Sequence, residues 1–312
     1  MKASTLALLG VCAIGLAAAA IKPDLPAAEA EARLAGPDSR FVEVDGMRVH
    51  YRDVGSGPVL VLLHGSNSSL HTWAGWIDML SGDFRTVALD LPGHGLTGPN
   101  PTGSYSPDAQ AEFLDHFTRA IGIERFALAG NSMGGQIAWH YALAHPRRLW
   151  ALILVDPAGF PHRLPAVFAL YRIPLLGRVA THVTPRFLVA RSLRQVYGDA
   201  SKVTPALVDR YYTLLLRQGN REATRRRFAN RRPDSAVSEL GEIAVPVLIQ
   251  WGELDRWIPP EHARLFAERI RQARVRTYPR LGHVPMEEDP ETTAADARDF
   301  LLEVLAESAG RS

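Results

Sequence analysis

Gly130-Asn131-Ser132-Met133-Gly134-Gly135 is the stretch whose reading decides the fold. It has the form G-x-S-x-G. The five residues before it, 125–129, form a short apolar run that reads as a buried strand. Residues 136–144 after it read as a helix that ends at His145-Pro146. Strand, tight turn and helix make the context of a nucleophile elbow. A serine hydroxyl is a poor nucleophile until a base removes its proton, so it must stand exposed on a sharp turn within reach of a histidine. Flanking glycines remove Cβ atoms that would clash at such a turn. The N–H of Met133, at the start of the helix, points where an oxyanion would develop. The alternative is a glycine-rich turn whose serine only caps the helix. The rest of the chain decides between them.

Working outward, the apolar runs alternate with helical patterns. Residues 41–45 and 47–52 alternate apolar and polar around Gly46 and read as an antiparallel hairpin. Residues 58–63 are continuously apolar, as a strand covered on both faces must be. They lead into His64-Gly65-Ser66-Asn67. A helix over 70–80 and a strand over 84–89 follow, ending in Asp90-Leu91-Pro92-Gly93-His94-Gly95. Ser106 and Pro107 are N-cap and first residue of a helix running to Ile121. Residues 150–155 are another buried strand, closed by Asp156. From 160 to 240 the strand signals stop and helical stretches with many Arg and Pro appear, the pattern of an inserted cap. Residues 245–251 resume the buried-strand pattern before Gly252-Glu253-Leu254-Asp255. A helix over 260–271, a last strand over 275–278, Gly282-His283 and a closing helix over 290–307 complete the chain. Eight strands alternating with helices predict an α/β fold: a mostly parallel eight-stranded sheet with helices on both faces. The sheet domain spans 40–159 and 241–308, interrupted by the helical cap at 160–240.

The 312 residues, 46% hydrophobic, suffice for one large domain with a sizeable core. A net charge of +2 gives no argument for a nucleic-acid partner. Cys12 is the single cysteine, which excludes an intramolecular disulfide. Lys2 precedes an apolar run from Leu6 to Ile21 that ends in small residues near Ala20. Residues 1–21 therefore read as a secretory signal, with an uncleaved membrane anchor as the competing reading. Either places the folded part outside the cytoplasm, exported or attached to a membrane. Residues 22–39, rich in Pro, Ala and Glu, read as a linker.

Ser132, Asp255 and His283 occur in the order nucleophile, acid, base, and each follows a predicted strand. The ends of parallel strands on one edge of a sheet are where such a site is built. His283 would take the proton from Ser132 and return it to the leaving group, and Asp255 would orient the imidazole. Glu253 and Asp156 compete with Asp255 for the acid. His64 and His94 read as loop-fixing residues. The remaining histidines are scattered, and no pair has metal-ligand spacing.

With His64-Gly65, Asp90 to Gly95, the elbow, Gly252 to Asp255 and Gly282-His283 in this order, the chain from about 41 to 305 resembles an α/β-hydrolase-fold serine hydrolase. The resemblance implies an oxyanion hole from the backbone N–H groups of Ser66 and Met133, and no cofactor. Gly-Asn-Ser-Met-Gly-Gly is similar to the elbow of meta-cleavage-product hydrolases, which cut a carbon–carbon bond. Those enzymes usually carry Trp after the base, where this chain has Val284, and hold a substrate carboxylate with a cap Arg, for which Arg191, Arg194 and Arg210 are candidates. Ester hydrolysis of a small apolar acyl substrate therefore ranks above carbon–carbon cleavage, and a ligand-binding protein on a hydrolase scaffold is the non-enzymatic alternative. Phe160, Leu164, Phe168, Leu170, Tyr171, Leu175 and Leu176 are expected in an acyl pocket or in the contact between cap and core. Arg217, Arg221, Arg225, Arg226, Arg227, Arg231 and Arg232 read as a solvated face or as a contact with an anionic membrane.

Overall fold

The computed structural model describes residues 21–163, 168, 170–230 and 233–310. The apolar run up to residue 20, with Cys12, lies outside the described residues, as do Leu164, Arg231 and Arg232. Among the described residues no helix is long and apolar enough to cross a membrane.

Helix α1 (Ala27–Leu34) precedes the hairpin β1 (Ser39–Val44) and β2 (Met47–Val54). Then come β3 (Val59–Leu63), α2 (Ala74–Leu80), β4 (Arg85–Leu89), α3 (Pro107–Ala120), β5 (Phe126–Asn131), α4 (Met133–Ala144) and β6 (Leu149–Val155). Four helices follow without a strand between them: α5 (Pro174–Ala180), α6 (Arg186–Val196), α7 (Pro205–Leu216) and α8 (Asn220–Ala229). The chain closes with β7 (Val247–Gly252), α9 (His262–Arg269), β8 (Ala273–Tyr278), α10 (Pro285–Glu288) and α11 (Pro290–Ala309).

The strands form one eight-stranded sheet in the order β1-β2-β4-β3-β5-β6-β7-β8. β2 is antiparallel to both its neighbours, and the other pairs are parallel. This is the mostly parallel sheet that the alternation predicts. Every residue of β5, β6 and β7 is buried, which is why these strands read as unbroken apolar runs. One layer of core packs α3, α4 and α9 on one face of the sheet. The other packs α2 and α11 on the opposite face, where Ala294, Ala297, Leu301 and Val304 make the helical stripe. Ser106 caps α3 by accepting the N–H of Ala109, with Pro107 in the first turn. Because β3, β5, β6, β7 and β8 run parallel, their C-terminal ends lie on one edge. His64, Ser132, Asp156, Asp255 and His283 all follow those ends.

The linker expected over 22–39 is instead an ordered strap across the helical insert. Its Asp24 carboxylate accepts from the Arg221 guanidinium at 2.6 Å, and Arg221 is 2% exposed. Leu25 exchanges backbone hydrogen bonds with Leu216 and Gln218, and Ala30 on α1 packs with Leu96 and Leu214. The physical reason is the buried cation: among the described residues Asp24 is the carboxylate paired with Arg221. The same contacts change the reading of the arginine-rich stretch. Arg221 is tied to the strap, Arg225 and Arg226 share Glu222, and Arg217 and Arg227 point into loops of the sheet domain. The described part of this segment is neither an open basic surface nor a freely solvated one.

Asp24→Ala leaves that guanidinium buried without its partner and should lower stability by about 2 kcal/mol. Urea unfolding checks it, and Arg221→Leu in the same chain should recover part of the loss. Equal midpoints for Asp24→Ala and wild type would contradict the assignment.

Candidate active site

Ser132 joins β5 to α4 with φ 55° and ψ −114°, a strained conformation for a non-glycine residue. Its neighbours explain the glycines around it. A Cβ on Gly130 would stand 2.3 Å from the Gly134 carbonyl oxygen, and one on Gly134 would stand 2.3 Å from that of Leu63. The flanking glycines are therefore required by close backbone approach. Gly65 is pressed in the same way against Asn131 and Ser132, so the β3 loop sits directly on the elbow.

The structure brings Ser132, His283 and Asp255 together. The Ser132 hydroxyl lies 2.9 Å from His283 Nε2, and His283 Nδ1 lies 2.7 Å from Asp255 Oδ2. Asp255 Oδ1 accepts the N–H groups of Trp257 and Ile258 at 2.7 and 3.0 Å, which fixes its plane. With Nδ1 donating to a carboxylate, Nε2 is free to accept the serine proton. Ser66 and Met133 stand side by side, the Ser66 hydroxyl donating to Met133 Sδ at 3.3 Å. Met133 is the first residue of α4, so its N–H has no acceptor within the helix. Both residues border the cavity onto which Ser132 opens.

Glu253 accepts from Thr277 on the exposed edge, away from His283. His64 is fully buried: Nδ1 donates to the Gly65 carbonyl and Nε2 accepts from Leu91 N–H, while burial pushes its pKa down to about 4. It holds the β3 loop as a neutral ring. His94 packs edge-on against it and is also depressed by burial.

Two residues acquire roles that the motifs did not announce. Asn131 donates from one Nδ2 to the carbonyls of Val155 and His283, at 3.1 and 3.0 Å, and so ties the elbow to the loop carrying the base. Asp156, at the end of β6, is fully buried behind the Asp255–His283 pair, with oxygen and nitrogen atoms of the three within 4.8 Å of one another. Its Oδ1 accepts the Gly252 N–H, while Oδ2 has no donor facing it. Burial first, and then the Asp255 charge, raise its pKa well above the carboxylate range. A raised pKa favours the neutral acid, and a proton on Oδ2 would give that atom a partner in the nearby Asp255 carboxylate. Sequence order alone left Asp156 as a rival to Asp255. The structure gives the imidazole contact to Asp255.

Two cavities meet at Ser66, Ser132, Phe168, Trp257 and His283. The larger, about 430 Å³, is polar on its far wall, with Tyr105, Gln136, His140, Asp234 and Arg227. His140 donates to both Asp108 and Asp234, at 2.6 and 2.7 Å. Burial opposes its charge, but the two carboxylates prevail and raise its pKa. Among the described residues the hydrogen-bond partners of Arg227 are the neutral groups Asn67, Gly93, His94 and Thr224, and burial lowers its pKa to about 10. The smaller cavity, about 180 Å³, is walled by Tyr171, Val183, Leu188, Leu193, Val196 and Val284. Of the aromatic and leucine residues expected in an acyl pocket, Phe168 and Tyr171 are there. Phe160 packs on Phe266 of α9, in the contact between cap and core, and Leu175 and Leu176 face outward. Arg191 and Arg194 are on the surface, and Arg210 borders a separate depression, while Arg226 and Arg227 are the cap arginines that line this cavity among the described residues.

Asp156→Asn keeps both the acceptor for Gly252 and a donor toward Asp255, and should keep kcat/KM near wild type. Asp156→Ala should lower it by about tenfold or more. The folded chain retains a proton that the unfolded chain releases above about pH 4. Stability is therefore present below that pH and is lost as pH rises toward the raised folded pKa. Asp156→Asn should remove this slope and melt higher than wild type at pH 7. A wild-type slope in Asp156→Asn would contradict the neutral acid.

Comparison with known proteins agrees with this geometry. Residues 58–290 match the family described as alpha/beta hydrolase fold. The 2-hydroxy-6-oxo-6-phenylhexa-2,4-dienoate hydrolase of Comamonas testosteroni is 28% identical, over 85% of this chain and 97% of its own. The crystal structure of a membrane phospholipase A, a bacterial virulence factor, superposes with a TM-score of 0.74 at 30% identity, covering 97% of this chain and 99% of the other. A thermophilic esterase from Thermogutta terrifontis superposes with a TM-score of 0.74 at 25% identity, covering 85% and 98%. The chain belongs to the α/β-hydrolase fold family and is related to its meta-cleavage-product hydrolases and esterases.

Proposed function

We propose that the chain is a serine hydrolase that cleaves carboxylic esters through an acyl-enzyme on Ser132. The observation that carries this reading is the hydrogen-bonded line Ser132–His283–Asp255 standing where an apolar cavity meets a larger one with polar side chains on its far wall. His283 Nε2 takes the serine proton as Oγ attacks the ester carbonyl. The N–H groups of Ser66 and Met133 receive the oxyanion, and Asp255 stabilises the imidazolium. His283 then gives the proton to the departing alkoxide, and the alcohol leaves. Water, deprotonated by the same ring, releases the acid and restores Ser132. The apolar cavity suits the acyl chain, and the larger one, with polar side chains on its far wall, suits the alcohol. Relatives described as an esterase and a phospholipase A support the choice of an ester.

A second reading, carbon–carbon hydrolysis, is favoured by one observation. Arg227 is a half-buried cation on the cavity wall with, among the described residues, no carboxylate partner, a feature that a dienoate carboxylate would complement. The relative from Comamonas testosteroni acts on such a compound by its name.

A panel of p-nitrophenyl esters of increasing acyl length beside a ring-fission dienoate separates the two. The expected result is turnover of the esters with an initial burst of p-nitrophenol equal to the enzyme concentration, lost by about 10³-fold or more in Ser132→Ala. Turnover confined to the dienoate would favour the second reading, and turnover of neither would remove both.

A further inference from the structure

The cap carries an outward face that the site does not use. Residues 157–198 contain Arg163, Arg172, Arg178, Arg186, Arg191 and Arg194 and no Asp or Glu, in a chain whose net charge is only +2. Arg172, Arg178, Arg186, Arg191 and Arg194 are exposed. Among the described residues only Arg186 of these five has an ion pair, with Asp209. Between them stand Ile173, Leu175, Leu176, Val179 and Phe187, exposed by 43 to 71%. With Ile21 they make six of the nine large hydrophobic side chains left exposed on the described residues. Singly exposed apolar residues are ordinary, but a cluster rimmed by unpaired cations marks a surface with a partner.

Two further observations say which partner. Ile21 pairs with Val183 through a backbone bridge, and Lys22 N–H donates to the His182 carbonyl. The apolar run of residues 6–20 thus joins the described chain on this very face. The other sides of α5 and α6 wall the apolar cavity at Ser132, through Ala180, Leu188, Val189, Leu193 and Val196. A second copy of the chain would set one row of unpaired arginines against another. A sheet of anionic headgroups over hydrocarbon answers both the charge and the apolar side chains, each arginine near such a surface adding attraction.

We propose that the outer face of α5 and the start of α6, together with Ile21, seats on an anionic lipid bilayer. Phe187 and the leucines of α5 enter the headgroup boundary, and the arginines meet the phosphates. The cap then places the apolar cavity between the bilayer and Ser132. This assignment concerns binding and stands whether or not esters are the substrate.

The test uses the full chain in a Cys12→Ser background, with an environment-sensitive dye on Phe187→Cys and, separately, on Leu302→Cys, an exposed position on α11 outside the proposed face. Phosphatidylcholine vesicles with and without phosphatidylglycerol are added. The expected result is a blue shift of the dye at 187, dependent on phosphatidylglycerol, with none at 302. Arg172→Glu with Arg178→Glu should abolish the shift while leaving turnover of a soluble chromogenic substrate unchanged, which reports folding. No shift at 187 would overturn the proposal, as would equal shifts at both positions. So would a shift that survives the charge reversal, since residues 6–20 alone would then account for binding. A shift that follows protein concentration without vesicles would also overturn it and would assign the face to a contact between copies.

Discussion

The elbow works because three strand ends are packed backbone against backbone. Ser132 is held in a conformation that costs about 1–3 kcal/mol. What holds it there is a set of main-chain hydrogen bonds: its N–H to the Val155 carbonyl, and its own carbonyl to the N–H groups of Gln136 and Ala158. These bonds form only if β3, β5 and β6 approach without side chains between them, and Gly65, Gly130 and Gly134 permit that approach. The same compression brings Ser66 and Met133 to the cavity onto which the Ser132 hydroxyl opens. The strained serine and the backbone beside it are therefore one packing solution.

The base is positioned from the other direction, by the cap. His283 N–H donates to the Val196 carbonyl at the end of α6, at 2.6 Å. One carboxylate, Glu288, accepts from the N–H groups of Gly198, Asp199 and Gly282, and so clamps the cap to the His283 loop. Asn131 closes the ring by tying that loop to the elbow. On this side the cap is part of the site's frame. Its inner wall shapes the apolar cavity, its outer face carries the exposed apolar and basic residues, and the end of α6 holds the His283 backbone.

How much of this was legible beforehand follows from the range of each interaction. The sheet was legible because parallel strands buried on both faces must be apolar throughout, and β5, β6 and β7 are. The order Ser132, Asp255, His283 was legible because each follows a strand, and a parallel sheet delivers strand ends to one edge. What escaped depends on contacts between distant residues. Asp24 and Arg221 are 197 positions apart, so composition alone gave a linker where there is a strap. Asp156 became intelligible only when its second oxygen was seen buried without a donor beside Asp255. The cap misled for a different reason. α5 and α6 are apolar toward the cavity and also outward, so periodicity did not say that Leu188 and Leu193 line it while Leu175 and Leu176 do not.

The central claim is that the relay from Asp255 through His283 makes one hydroxyl reactive among all those in the chain. A fluorophosphonate probe, followed by proteolysis and mass mapping, tests it without assuming a substrate. The account predicts a single stoichiometric adduct on the peptide containing Ser132, absent from Ser132→Ala and formed far more slowly in His283→Ala. No adduct on folded wild-type protein, or an adduct at Ser132 formed equally fast without the imidazole, would contradict it.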